Sequence, residues 1–254
     1  MSLACRVYPA LTGDPSRPWL VFLHGLLGSG REWQPVLAQC RDWPCLTVDL
    51  PGHGESAAVT TSGFAALDHQ LAATLRLHQV ERYWLIGYSL GGRVAMYHAA
   101  RQPAGLCGLL VEGSHPGLLH PAERRARLDN DCRWAQRFLQ QPLPQVLAAW
   151  YHQPVFADLT NPQRQALIAL RGHNQPAGIA QMLLATSLGH QPPLDGALRR
   201  LRLPFYTLCG EQDARFRSLA VERHLPLSLL PGGHNVHHAH PGEFAHRLLS
   251  LIRC

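Results

Sequence analysis

The chain has 254 residues, 46% of them apolar and only 16% charged, which allows one substantial buried core with room for an insertion. Its formal charge of +6 arises from 23 Lys plus Arg against 17 acids, and every one of those cations is an arginine, since no lysine occurs. A Schiff-base lysine, pyridoxal-phosphate chemistry and a Walker A loop are thereby excluded, and arginines that never form a run of five or six argue against a nucleic-acid partner.

In chain order, Trp19-Leu20-Val21-Phe22-Leu23 is a short apolar run that ends at His24-Gly25 and reads as a buried strand delivering its end to a loop. Runs of the same kind follow at 46–50, stopping at Pro51-Gly52, at 83–86, stopping at Gly87, at 107–112, stopping at Gly113, and at 205–209, stopping at Gly210. Helix-like apolar spacing lies between them, from Phe64 to Leu77 and from Arg93 to Arg101. Buried strands alternating with helices imply an α/β fold with a mostly parallel sheet flanked by helices. The alternation lapses between Ser114 and Leu198, where Leu, Ala, Gln, Arg and Trp dominate and repeated prolines cut the pattern into short helices. Residues 1–113 and 199–254 are therefore expected to form the core, and 114–198 a helical cap inserted over the carboxyl edge of the sheet.

Gly87-Tyr88-Ser89-Leu90-Gly91-Gly92 is a G-x-S-x-G match directly between a strand and a helix, where small residues let the chain turn sharply enough to project Ser89 into a cleft. A serine hydroxyl needs an imidazole to take its proton and a carboxylate to hold that imidazole. Both follow in the order Ser, acid, His. Asp213 lies in Gly210-Glu211-Gln212-Asp213, with Glu211 as the competing acid, and His234 lies in Pro231-Gly232-Gly233-His234-Asn235. The loop His24-Gly25-Leu26-Leu27-Gly28-Ser29-Gly30 offers the amide of Leu26, which together with the amide of Leu90 is expected to face an oxygen gaining negative charge. His24 and His53, the latter in Asp49-Leu50-Pro51-Gly52-His53-Gly54, read as loop architecture. His234, His237, His238 and His240 lack a carboxylate or cysteine in a recognised ligand spacing, so no metal is expected, and no motif calls for a cofactor.

The seven cysteines are odd in number and contain no C-x-x-C pair, so neither a disulfide framework nor a zinc ribbon is indicated and a reducing cytoplasm is the simplest setting. Met1-Ser2-Leu3-Ala4-Cys5 has the look of a lipoprotein cleavage site but lacks a preceding apolar stretch, and no run approaches the roughly 20 apolar residues of a membrane helix. A soluble, unexported protein without stable membrane insertion is expected, its oligomeric state open. The densest arginine cluster, Arg124, Arg125, Arg127, Arg133 and Arg137, alternates with acids. It reads either as a solvated helix or as one or two arginines turned inward toward an acidic small molecule.

Across nearly its full length the chain resembles the α/β-hydrolase superfamily, through H-G-x-x-G, D-L-P-G-H-G, G-Y-S-L-G-G, G-E-x-D and G-G-H-N in order. Within it the chain is similar to the 2-succinyl-6-hydroxy-2,4-cyclohexadiene-1-carboxylate synthases of menaquinone biosynthesis. That closer resemblance rests on the elbow extended to Arg93, on Val111-Glu112-Gly113-Ser114-His115-Pro116-Gly117-Leu118, on Trp150-Tyr151-His152-Gln153-Pro154-Val155-Phe156, and on Ala169-Leu170-Arg171 followed by Ala185-Thr186-Ser187-Leu188. The resemblance implies a lyase that eliminates pyruvate, with Ser89, His234 and Asp213 used for proton abstraction and a small anionic substrate held by Arg93, Arg127 and Arg171, with Tyr88 and Trp150 lining the same pocket. Around 128–130 and 215–217 the chain departs from the family pattern without removing the triad. A serine hydrolase, whether esterase, thioesterase or carbon–carbon bond hydrolase, would use the same triad over a mostly apolar pocket. A catalytically silent binding member of the fold is the other alternative.

Overall fold

The computed structural model describes residues 2–11, 14 and 16–252; Met1 of the N-terminal motif and Cys254, one of the seven cysteines, lie outside them. Seven strands form one sheet in the order β1-β3-β2-β4-β5-β6-β7. They are β1 (Cys5–Tyr8), β2 (Trp19–Leu23), β3 (Cys45–Val48), β4 (Tyr83–Tyr88), β5 (Leu106–Glu112), β6 (Phe205–Gly210) and β7 (Leu227–Leu230). All neighbours are parallel except β1, which runs antiparallel to β3 with Cys5 opposite Val48.

Side-chain alternation explains why the central strands read as continuous apolar runs. Val21, Leu23, Leu85, Leu109 and Val111 enter one core layer, while Leu20, Phe22, Ile86 and Leu110 enter the other. Both faces of these strands are covered, so all their positions but Trp19 and Cys107 are buried. On the first face lie α2 (Phe64–Leu77) and α3 (Leu90–Ala100), with Phe64, Leu67, Leu71 and Leu75 forming the inward stripe of α2 at helical spacing. The opposite face is covered by α1 (Gln34–Leu37) and by the last helix (Pro241–Ile252), which inserts Phe244, Ala245, Leu248 and Ile252.

Between β5 and β6 the chain forms α4 (Pro121–Gln140), α5 (Leu143–Trp150), α6 (Asn161–Arg171) and α7 (Pro176–Ala185). Each begins with a proline in its first two positions, where the missing N–H removes no helical bond. These helices have a core of their own, including Phe138, Val146, Leu147, Tyr151, Leu167 and Ile179, and it is joined by Leu27 from the main domain. A short α8 (Asp195–Arg199) follows, yet Leu194 and Leu198 pack into the main core, so the end of the stretch 114–198 sits on the core side. Where α7 meets the loop after β3, backbone lies on backbone: a Cβ on Gly178 would come within 2.9 Å of Gly52 Cα. Among the described residues no helix is long and apolar enough to cross a membrane.

Candidate active site

β4 ends against Ser89, whose φ of 50° and ψ of −109° are rarely adopted by an L residue and cost on the order of 1–3 kcal/mol. Surrounding bonds hold it there. The Ser89 amide donates to Glu112 O at 2.9 Å, while Ser89 O accepts from the Arg93 amide at 3.0 Å and from the Ser114 hydroxyl at 3.1 Å. The turn also needs α3 to start directly against β2: a Cβ on Gly91 would run into the backbone carbonyls of Leu23 and His24.

His234 follows β7 and Asp213 follows β6, and their side chains meet at 2.7 Å between Nδ1 and Oδ2, both buried. The second carboxylate oxygen of Asp213 accepts the Phe216 amide at 3.1 Å and caps α9 (Ala214–Glu222), so the acid is fixed at both oxygens. Donation of Nδ1–H to Asp213 leaves Nε2 as the nitrogen able to take a proton. The imidazole is held between the rings of Tyr88 at 5.3 Å and Phe216 at 4.9 Å. Glu211, the competing acid, is exposed.

The loop after β2 carries the other half of the site. Leu27 sits at φ 70°, and its amide donates to His53 Nε2 at 2.9 Å while its carbonyl accepts from Asn174 Nδ2 of the cap at 2.9 Å. Asp49 bridges this loop to the next, accepting from the Gly30 amide at 2.6 Å and the Glu55 amide at 2.9 Å. Among the described residues neither the Leu26 nor the Leu90 amide donates to a backbone carbonyl, and Leu90 opens α3, where the helix leaves its first N–H groups unpaired.

His24 and His53 are fully enclosed; His24 Nε2 accepts the Leu50 amide at 2.9 Å, and burial drives both histidines down to about 3. His115 is likewise pushed down to about 3, by burial and by four nearby arginines, Arg223 first. In the unfolded chain these rings take a proton near pH 6.5, whereas the folded protein refuses it until about 3. The unfolded state therefore binds more protons across that window, and stability is full above about pH 6.5 and declines as the pH falls toward 3. Urea midpoints at pH 7.5 and 5 should differ by the equivalent of on the order of 1 kcal/mol per pH unit per histidine below 6.5. A His53→Gln variant that leaves this slope unchanged would remove that ring from the account.

A cavity of about 360 Å³ lies over Ser89, with Leu26, Leu90 and His234 in its wall. Arg93, Arg127 and Trp150, all expected there from the sequence, line it. Arg93 Nη1 donates to Thr186 O at 2.8 Å and reaches Gln191 Oε1 at 3.5 Å, and burial lowers its guanidinium to about 9. Arg127 Nε is shared between the two oxygens of Asp131 at 2.8 and 2.9 Å, and Asp131 also accepts the Ser187 hydroxyl at 2.8 Å. The Thr186-Ser187 motif thus orients both arginines. Trp150 stacks edge-on to Trp134 at 4.9 Å.

Two expected residues are elsewhere. Tyr88 is buried beneath the imidazole of His234 and against His237 at 4.5 Å, because its position at the end of β4 points it into the second core layer. Arg171 lies outside this cavity, ion-paired with Glu32 and donating from Nε to Tyr151 Oη at 3.3 Å, both members of the ion pair buried. With Leu27 it lines a second cavity of about 720 Å³. His115 and Arg215, to which the sequence reading gave no role, do line the cavity over Ser89. A position two residues beyond Asp213 was the available signal for Arg215. The histidines of the last loop diverge: His237 binds Glu112 at 2.7 Å, and His238 lines the second cavity.

Residues 18–241 match the model of the alpha/beta hydrolase fold. The chain is 55% identical over 240 residues to a 2-succinyl-6-hydroxy-2,4-cyclohexadiene-1-carboxylate synthase of Pectobacterium atrosepticum, covering 94% of this chain and 95% of that one. It is 52% identical to the protein of the same name from Yersinia enterocolitica, covering 99% and 94%. Among solved structures, MenH from S. aureus superposes with a TM-score of 0.91 at 27% identity over 100% of this chain and 98% of that one. An esterase from Thermogutta terrifontis, 20% identical with a TM-score of 0.80 over 99% of this chain and 93% of that one, shares the fold. Sheet order, serine elbow and relatives agree, and the chain belongs to the alpha/beta hydrolase fold family and, within it, to the 2-succinyl-6-hydroxy-2,4-cyclohexadiene-1-carboxylate synthases.

Proposed function

We propose that the protein eliminates pyruvate from 2-succinyl-5-enolpyruvyl-6-hydroxy-3-cyclohexene-1-carboxylate to give 2-succinyl-6-hydroxy-2,4-cyclohexadiene-1-carboxylate, a step of menaquinone biosynthesis carried out in the cytoplasm. The observation that carries this reading is the cavity that joins Ser89 and His234 to several arginines, in a chain 55% identical to a synthase of that name.

The substrate is a tricarboxylate whose ring proton at C2 lies next to the succinyl ketone. Ser89, relieved of its own proton by His234 Nε2, removes the C2 proton, and the Leu26 and Leu90 amides hold the ketone oxygen as charge moves onto it. Asp213 keeps the imidazole in the required tautomer and stabilises it once protonated. The electron pair from C2–H becomes C2=C3, the former C3=C4 pair becomes C4=C5, and the C5–O bond breaks. No water is consumed. Arg93 and Arg127 bind carboxylates in the planar, two-pronged way that guanidinium groups allow, and Trp150 supplies an apolar wall.

A coupled assay for pyruvate release from freshly generated substrate, run beside a p-nitrophenyl ester panel, tests the reading. Rapid pyruvate release that disappears in Ser89→Ala, with poor ester turnover, is expected. Ester turnover without pyruvate release would make the protein a serine hydrolase, and inactivity in both would make it a binding protein.

A further inference from the structure

Three arginines line the catalytic cavity, and the protein holds them differently. Arg93 is tied to Thr186 O and Gln191, and Arg127 to both oxygens of Asp131. Arg215 sits in the first turn of α9, two residues beyond Asp213, with its guanidinium 5.8 Å from the Phe216 ring, and it has no hydrogen bond or ion pair to any described residue. It is exposed where it lines the cavity, within electrostatic reach of both Arg127 and Asp213. A guanidinium that no acceptor among the described residues satisfies, beside another arginine and facing a reaction cavity, is set to receive an anion.

On the reading of the reaction given above, the substrate carries three carboxylates and the cyclohexadiene product two. We infer that Arg215 binds the carboxylate of the departing enolpyruvyl arm, while the fixed pair Arg93 and Arg127 serves the two carboxylates that stay on the ring. Guanidiniums pre-set by partners of the chain, Arg93 buried and Arg127 half-buried, suit groups present from substrate to product, whereas an arginine tied to no described acceptor is free to follow a small anion that leaves. Position also matters to the chemistry. When C5–O breaks, its electron pair goes to the oxygen, so the arm leaves as an enolate carrying a second negative charge beside its carboxylate. The enolate then takes one proton on carbon to become pyruvate, balancing the proton lost from C2, with no change in oxidation state overall. A cation at that end attracts the transition state more strongly than the substrate, so its loss lowers kcat as well as raising KM.

The experiment compares wild type, Arg215→Leu and Arg215→Lys in pyruvate release, with inhibition by added pyruvate and by the cyclohexadiene product measured on each. Arg215→Leu should lower kcat/KM by roughly 10- to 100-fold, through both constants, and weaken pyruvate inhibition by about as much, with product inhibition within about twofold of wild type. Arg215→Lys, which keeps the charge but not the planar fork, should fall between the two. Melting temperatures should stay close to that of wild type, because no hydrogen bond or ion pair to a described residue is lost and the contact with the Phe216 ring is long, at 5.8 Å. Product inhibition that weakens together with pyruvate inhibition would assign Arg215 to a retained carboxylate and overturn the proposal. Variants indistinguishable from an active wild type would overturn it too. A wild type that releases no pyruvate at all would overturn the reaction itself and this assignment with it, a pattern separable from the other two.

Discussion

Ser89→Ala should lower kcat for pyruvate release by about three to six orders of magnitude while leaving binding of the cyclohexadiene product within a few fold of wild type. The hydroxyl sits at a backbone position held by three separate hydrogen bonds, and alanine can occupy it without disturbing them. Ser89 shares the cavity wall with Leu26, Leu90 and His234. His234→Ala should be about as severe, and the double variant little worse than either single one, because the two side chains act as one proton-transfer unit. Steady-state kinetics and calorimetric titration of product into each variant check both halves. A Ser89→Ala protein that keeps a tenth of wild-type turnover would show that the serine is not the base.

Arg171→Met should destabilise the protein by about 3–5 kcal/mol, near 10 °C in melting temperature for a chain of this size, with only a small change in KM. The guanidinium is pushed down to about 9 by burial, and its partner Glu32 is buried in the capping box that starts the turn after Leu27. Removing the arginine alone strands a carboxylate in the interior. Removing both, as Arg171→Met with Glu32→Gln, should restore most of the loss, since a neutral pair has no desolvated charge to satisfy. An arginine serving the substrate would give the reverse result, with KM rising steeply and melting unchanged, so thermal melts together with KM values on the same two proteins decide between them.

The parts of this protein that were legible in the sequence are those where local chemistry and tertiary role coincide. Buried parallel strands must be apolar on both faces, so β2, β4, β5 and β6 stand out as runs, and the glycines after them mark the sheet edge where Ser89 and the loops gather. β1 escaped notice because it is four residues long, half exposed and antiparallel at the edge, with neither the run nor the alternation that signals a strand. Tyr88 and Arg171 show the limit of pattern at the site. Tyr88 neighbours the serine in sequence, but the pleat turns it to the opposite side of the sheet. Arg171 has the residue type a carboxylate substrate needs, yet a carboxylate of the chain itself reaches it first. Only three-dimensional proximity distinguishes these from Arg93 and Arg127, and it likewise brings in Arg215, for which nearness in sequence to Asp213 was the one available marker.

The two bonds on Leu27 bind catalytic competence to the placement of the cap. Its amide is anchored to the core through His53, but its carbonyl is anchored to the cap through Asn174, next to the Arg171–Glu32 pair. The turn that follows α6 therefore holds the peptide unit next to Leu26, so a change at Asn174 reaches the loop beside Ser89 through a single hydrogen bond. That loop is thus fixed from both sides, by the core at its amide and by a residue 147 positions further along the chain at its carbonyl.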